Sequence, residues 1–476
     1  MSLNDDNNNN NNNNNIRDSF ISEYEYDDKR DTLMNEIGWE QNINKHIFIL
    51  SSSGKPIYSR LGDEQDMVTT FGLIRAIAAV VQDSGDELKC IKAGKRRIVY
   101  FIRNFLYFVS ISSTGEPEAI LCKQLEFLYS QVLLVLTSQV HNVLKNNSSK
   151  DLRDLLGSDS KRLMDAACQS DLTPIGIAFE AVETFSINKD LRDEIIMYLR
   201  QCVNNSGAAL GVLIHGDTLL VYVMNEAQDL VLNVSDVLLL THFVGNSNSL
   251  RSHDQNWVPI CLPSFNATAY LQAYISNLHF QGKNKSMDLS LVLVSTSSDA
   301  KAFKDLHLNR IELEKALTFQ NIADRIFSAA ERQLIALKKI MSTAMCLHFL
   351  YKIRSGGGLP SQYIMSPFEF PVDGQESRDN IITHYQRLSL CLRKGSSLAE
   401  YTVNVSPNII VTPPSSDHSL AYIIMSTGQV IVSLATVDSE LYATFPGTMT
   451  ALESSRMADF LSKSLKVECS QIFLTS

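Results

Sequence analysis

Gly54-Lys55, placed just after the apolar run Ile47-Phe48-Ile49-Leu50, are the first residues here whose types could do chemistry. A glycine and a lysine after a strand can open a phosphate-binding loop, in which successive N–H groups wrap the phosphates. The spacing excludes that loop. It needs a glycine where Ile49 stands and a hydroxyl residue where Pro56 stands, and proline has no N–H to donate. The stretch instead predicts a hairpin: a strand at 47–50, a turn at 51–55, and a strand resuming at Ile57-Tyr58.

The other chemical candidates fail in similar ways. "GNSNS" from Gly245 lacks the closing glycine of a nucleophile elbow and fits a polar loop. "SGGGLPS" at 355–361 has the glycine of a phosphate cradle, but no helix start follows, and a flexible hairpin connection suits it better. The ten histidines contain no H-x-x-x-H pair. The eight cysteines, Cys90, Cys122, Cys168, Cys202, Cys261, Cys346, Cys391 and Cys469, contain no C-x-x-C pair, the pattern of reduced thiols in a cytosolic protein. The sequence therefore nominates no catalytic residue, no metal site and no cofactor, and points to a protein that works by contact.

The wider composition agrees. With 476 residues, 45% of them hydrophobic, the chain has material for about three domains. A net charge of −10 argues against nucleic acid as the main partner. The start of the chain, with asparagine throughout 7–15, has neither the basic nor the apolar region of a signal peptide. The charge-free stretch at 127–140 is too short and polar to span a bilayer, so membrane association is expected to be peripheral.

Elements follow from periodicity. Residues 1–38, rich in asparagine and then acidic (Asp18, Glu23, Glu25, Asp27, Asp28, Asp31), predict a disordered tail, with order beginning near Trp39. Met67, Phe71, Ile74, Ala78 and Val81 recur at helical spacing and predict one buried stripe. Strands are expected at 89–91, 97–102 and 106–111, then a long helix at 118–144. The same order returns twice. The second copy starts with a hairpin around Gly216-Asp217, has a helix capped by Ser235, and ends in helices from 298 to 340. The third runs from "CLHFLYKI" through strands "YTVNV", "AYIIM" and "VIVSLATV" to a closing helix near 448–465. Expected boundaries are 39–145, a helical connector at 146–205, 206–341 and 342–476. The fold class is α+β: three modules, each a five-stranded antiparallel sheet with flanking helices.

This order of elements resembles the longin fold. "KHIFILSSSGKPIYSR" with its "LGDE", "VPICLPSFNATAYLQAYIS" and "LHFLYK" together resemble the Mon-one family of vacuolar fusion proteins, over roughly residues 39–476. The resemblance implies a subunit that pairs with a second three-longin protein, Ccz, as a guanine-nucleotide exchange factor. Its target would be a late-endosomal and vacuolar Rab GTPase of the Rab-seven class, with an early-endosomal Rab as recruiter. It also implies recruitment to phosphoinositide-bearing membranes, and roles in endosome maturation, vacuole or lysosome fusion and autophagy. A non-catalytic coat, adaptor or tether subunit is the other reading that longin modules allow.

An exchange factor must bind the empty GTPase more tightly than the loaded one, by on the order of 5 kcal/mol. That requires a composite surface of ~800 Å² per partner. By the resemblance, the first module's opening helix packs beside its counterpart in Ccz. Asp66, Thr70 and Arg75, off the buried stripe, are its contact candidates, or simply a solvated face. Lys89, Lys92, Lys95, Arg96, Arg97 and Arg103 form an acid-free basic run, read either as a site for anionic lipid or an acidic partner, or as a strand edge protected by charge.

Overall fold

The computed structural model describes residues 44–61, 68–148, 150–225, 227–228, 232–251, 253–283, 285–354, 356, 359–366, 375–393, 409–411 and 419–474. The expected tail, Trp39, Asp66 and the expected strand "YTVNV" lie outside them.

The first unit opens with the hairpin read from the sequence. β1 (Lys45–Ser51) turns through Gly54, at φ 82°, into β2 (Pro56–Ser59). Only glycine takes that backbone conformation freely, so the glycine serves the turn. α1 (Val68–Asp83), β3 (Cys90–Ala93), β4 (Arg96–Arg103), β5 (Leu106–Ser112) and α2 (Glu118–Leu136) follow. The strands pair antiparallel in the order β2-β1-β5-β4-β3. Alternation gives the sheet two apolar faces. Phe48, Leu50, Tyr100 and Val109 pack under Phe71, Ile74 and Ala78 of α1. Ile49, Val99, Phe101 and Phe108 pack under Leu121, Leu125 and Leu128 of α2.

The helix expected to reach residue 144 stops at Leu136, where Thr137 takes φ 55°, and α3 (Val140–Asn146) starts afresh. The cause lies in the second unit. The last carbonyls of a helix lack partners within it. Here the Cys261 N–H donates to the Leu134 carbonyl at 2.9 Å, and the Tyr270 hydroxyl to the Val135 carbonyl at 2.8 Å. α2 is the one described helix long and apolar enough to cross a membrane, yet its apolar residues are spent between the first two units.

A connector follows: α4 (Arg153–Leu156), α5 (Ser158–Cys168), α6 (Ile175–Phe179), β6 (Val182–Glu183) and α7 (Lys189–Ser206). The second unit comprises β7 (Leu210–His215), β8 (Thr218–Met224), α8 (Val234–Asn246), α9 (Asn248–Arg251), β9 (Gln255–Ile260), α10 (Pro263–Asn266), β10 (Leu271–Gln281), β11 (Ser286–Ser295), α11 (Ala300–Phe319) and α12 (Ile322–Thr343). Its sheet, β8-β7-β11-β10-β9, repeats the order of the first. Ser235 does not cap α8. Asn233 holds that position without a side-chain bond, and the Ser235 hydroxyl meets that of Ser264 at 2.8 Å.

The third unit contains β12 (His348–Ile353), β13 (Gln362–Met365), α13 (Gln375–Arg393), β14 (Ile409–Val411), β15 (Ser419–Ile424), β16 (Val430–Ala435), β17 (Ser439–Phe445) and α14 (Ala451–Ile472). Its sheet runs β14-β15-β16-β17-β12-β13-β6. The same five-strand order recurs inside it, but the sheet has seven strands, not the five expected. β14 extends one edge. At the other edge the connector strand β6 pairs parallel to β13, and Thr184 beside it bridges to Leu219 of β8. The connector thus stitches two sheets together.

Two buried polar junctions also lock the units. Lys45 and Glu116 meet at 2.7 Å with both side chains sealed from solvent. The Glu116 carboxylate further accepts from the Thr173 N–H (2.7 Å), the Thr114 hydroxyl (3.1 Å) and the Gln386 amide of α13 (3.1 Å). Arg192 of α7, 1% exposed, donates to the carbonyls of Leu220, Phe185 and Ile472, fastening the end of α14 to the second unit.

Buried histidines give the fold a pH dependence. Burial lowers His46 to about 4 and His348 to about 3, so both are neutral in the folded state. In the unfolded chain they titrate near 6.5, so below that pH the unfolded state binds more protons. Stability therefore falls as pH drops from about 6.5 towards 4, by up to about 1.4 kcal/mol per pH unit for each histidine. Urea midpoints measured across that window should fall, and His348→Gln should flatten the profile; an unchanged slope in the variant would contradict the assignment.

Candidate functional site

Each unit carries an opening helix between its second and third strands, and the chain treats the three differently. α8 is sealed against α2 and α5: Val237 and Leu240 have no exposure, and His242 meets Gln131 of α2 at 3.0 Å. α13 buries Ile381, Tyr385 and Leu388 against its own sheet, with α6 beside it. On α1 only one side is covered. Opposite Phe71, Ile74 and Ala78 runs a second stripe, Thr69, Leu73, Ala76, Val80 and Asp83, at i, i+4, i+7, i+11 and i+14. All five are exposed, Leu73 by 49% and Val80 by 71%. A helix apolar on both sides normally lies inside a structure. Unlike α8 and α13, α1 has nothing among the described residues over its outer side.

The sequence candidates fall differently from expectation. Thr70 does not face outward; it is 5% exposed, on the sheet side of α1. Arg75 lies at the seam between helix and sheet. Its Nε donates to the Ser52 carbonyl at 2.9 Å, and its guanidinium lies 4.8 Å from the Tyr107 ring centroid. The outward residues Leu73, Ala76 and Val80 are not among the sequence candidates, which are all polar. The signal was present in "VTTFGLIRAIAAVVQD", which keeps apolar residues after the buried stripe is removed.

The six basic residues do not form one patch. Lys89, Lys92, Lys95 and Arg103 are exposed, and Arg96 and Arg97 are half-buried. Arg97 donates to the Glu116 carbonyl at 2.9 Å. Lys92 pairs across the strands with Arg97, and Lys95 sits in the β3–β4 turn. Arg103 lies at the far end of β4, roughly 20 Å away at 3.3 Å per residue, with its guanidinium over Phe101 at 4.1 Å. The exposed lysines of the β3 edge, Lys95 in the turn with Lys92 and Lys89 behind it along the strand, are the part open to an anionic surface.

A cleft of about 790 Å³ opens where the three units meet. Its charges neutralise one another: Lys123 pairs with Glu180 at 3.2 Å and Arg354 with Glu440 at 3.2 Å. Burial raises the carboxyl of Glu126 on its wall above the usual range. Among the described residues no three histidine, cysteine or carboxylate side chains are grouped to hold a metal.

Comparison with known proteins follows the same division. The model for the first longin domain of FUZ, MON1 and HPS1 matches residues 45–165, and that for the second longin domain matches residues 209–311. Vacuolar fusion protein MON1 of Yarrowia lipolytica is 32% identical over 359 residues, 74% of this chain and 62% of that protein. Protein SAND of Takifugu rubripes is 28% identical over 75% of this chain and 65% of its own length, and the MON1 homolog of Oryza sativa is 28% identical over 72% and 63%. The chain thus spans a little under two thirds of these relatives. The longin units, and a likeness that runs through most of the chain, place it in the MON1 family.

Proposed function

We propose that this chain acts in vacuolar fusion and endosomal traffic as one subunit of a guanine-nucleotide exchange factor for a late-endosomal Rab GTPase. Its partner is a Ccz-type protein of three longin modules, and its own third unit is a longin module as well. An early-endosomal Rab and anionic, phosphoinositide-bearing membrane recruit the pair, which sits peripherally on endosomes and vacuoles or lysosomes and supports autophagy. The names of the relatives support the fusion role.

The observation that carries the reading is the outer stripe of α1. Exchange makes and breaks no covalent bond; it needs a surface that favours the empty GTPase. An apolar helix face left open in one unit, while its counterparts are sealed, is suited to completing such a surface with a second protein. The decisive experiment is release of labelled GDP from the late-endosomal Rab with this chain alone, with Ccz alone and with both. Acceleration by the pair only is expected. No acceleration under any condition would leave the adaptor or tether reading in its place.

Membrane recruitment has a separate expectation. Lys89→Glu, Lys92→Glu and Lys95→Glu combined should weaken binding to liposomes containing phosphatidylserine and phosphatidylinositol 3-phosphate by roughly tenfold or more, at about 1 kcal/mol per lysine near the surface. The loss should shrink as salt rises. Unchanged sedimentation with liposomes would remove these three lysines from the membrane contact.

A further inference from the structure

Lys45, Ser112, Arg97 and Lys92 form one row across the first sheet, each paired with the next on a neighbouring strand. Cross-strand partners share a face, so the row sets three cations on the side of the sheet that α2 covers. Glu116 answers the first of them. Its Oε2 accepts from Lys45 and the Thr114 hydroxyl, and its Oε1 from the Thr173 N–H and the Gln386 amide. A carboxylate has about four acceptor positions, so none remains for the rest of the row.

Arg97 turns instead to the backbone, and α13 brings a second guanidinium to the same place. Arg97 Nη1 donates to the Glu116 carbonyl and Arg387 Nη2 to the Gly115 carbonyl, both at 2.9 Å. Gly115 makes room for this approach, since a Cβ there would lie 2.9 Å from Arg387 Nη2. Both arginines are half-buried, and burial, followed by the Arg97 charge, lowers the Arg387 pKa below its ordinary value. Among the described residues neither guanidinium is paired with a carboxylate, and each uses one of its five N–H donors. Glu118, the exposed acid nearby, faces the Cys90 thiol. His384, on α13 before Arg387, is lowered to about 4 by burial and then by the Arg387 charge, and so is neutral. Two like charges are thus held together at the seam between the first and third units.

We propose that Arg97 and Arg387 form a binding site for the dianion of a phosphate monoester, which clamps the first unit to the third. Two guanidiniums are matched by two negative charges, of which a single carboxylate supplies only half. Their planar forks also suit phosphate oxygens, each able to give two parallel N–H···O bonds. Lys92, next along the row and exposed, adds a third cation. The phosphate can be free in solution or carried on a lipid headgroup, because the recognising chemistry is the same. The site lies on the face of the sheet opposite α1 and does not depend on the exchange reading.

Titration calorimetry of the full chain with inositol 3-phosphate at fixed ionic strength tests this. Saturable one-to-one binding is expected, with a rise in the melting midpoint, because the ligand binds only the folded arrangement. Arg97→Gln and Arg387→Gln should each weaken binding at least tenfold and cancel the rise. Arg332→Gln, which removes a remote exposed cation on α12, should change neither. Without ligand, the two site variants should melt at or above the parent's midpoint, since each removes one of two repelling charges and glutamine can still donate to the carbonyl. A drop would make the arginines struts of the fold and overturn the proposal. Dimethyl phosphate, a diester with one charge, gives a comparison on the parent protein alone and should bind at least tenfold more weakly than the monoester. Equal binding of monoester and diester, full affinity in either site variant, or no saturable binding would each overturn the proposal as well. Liposomes containing phosphatidylinositol 3-phosphate then identify the source. Sedimentation that Arg387→Gln abolishes and inositol 3-phosphate competes assigns a lipid headgroup, and sedimentation indifferent to both assigns a soluble ligand.

Discussion

Replacing Leu73 and Val80 together by aspartate should abolish association with the proposed Ccz-type partner and leave the fold of this chain intact. Both side chains project from the outer side of α1 and bury no core of their own, so the thermal midpoint should hold to within about 0.5 kcal/mol of stability. At an interface the same changes bury two charges without partners, and central contacts are worth about 2 kcal/mol or more each. A loss of roughly a thousandfold in affinity is therefore expected by titration calorimetry, with a matching loss of GDP release by the pair. Full binding by the double variant would move the partner surface elsewhere. Thr70→Asp is the contrasting variant: it places a charge in the 5%-exposed seam under α1 and should destabilise the chain itself.

Glu116→Leu should lower the unfolding free energy by about 3–5 kcal/mol, a large part of the 5–15 kcal/mol that holds a domain folded. The ion pair with Lys45 is fully buried, so removing the carboxylate leaves an uncompensated ammonium group. It also strips the acceptor from Thr173 and from Gln386, which belong to the connector and the third unit. The Lys45→Met/Glu116→Leu pair should recover part of the loss, because it removes the orphaned charge while leaving the amide donors unsatisfied. Guanidinium denaturation of the parent and the two variants measures both steps. Equal stability of the single and double variants would show that the hydrogen bonds, not the charge pair, hold the junction.

What the sequence could convey depended on whether the signal was local. The hairpin around Gly54 and strands β4 and β5 follow from a period of 2 within short windows and formed as read, and of the α1 stripe Phe71, Ile74 and Ala78 are buried, Val81 is half-buried and Met67 lies outside the described residues. The break after Leu136 could not be read, because the donors that end α2 come from Cys261 and Tyr270 in another unit. β6 and β14 are too short to show any alternation. β17 is absent from the sequence expectation, in which "VIVSLATV" is the last strand, although "SELYATF" alternates after the short connection at 436–438. For the candidate site, the helix was legible but its uncovered side was not. Apolar residues outside the core stripe carry meaning only once the neighbouring elements are known to leave them bare.

The Glu116 junction also sets a timetable for synthesis. Gln386, which completes it, is translated 270 residues after Glu116. At the usual 5–20 residues per second, that is a delay of roughly 14–54 s. During that interval the nascent first unit holds a carboxylate whose last donor, the Gln386 amide, has yet to be made.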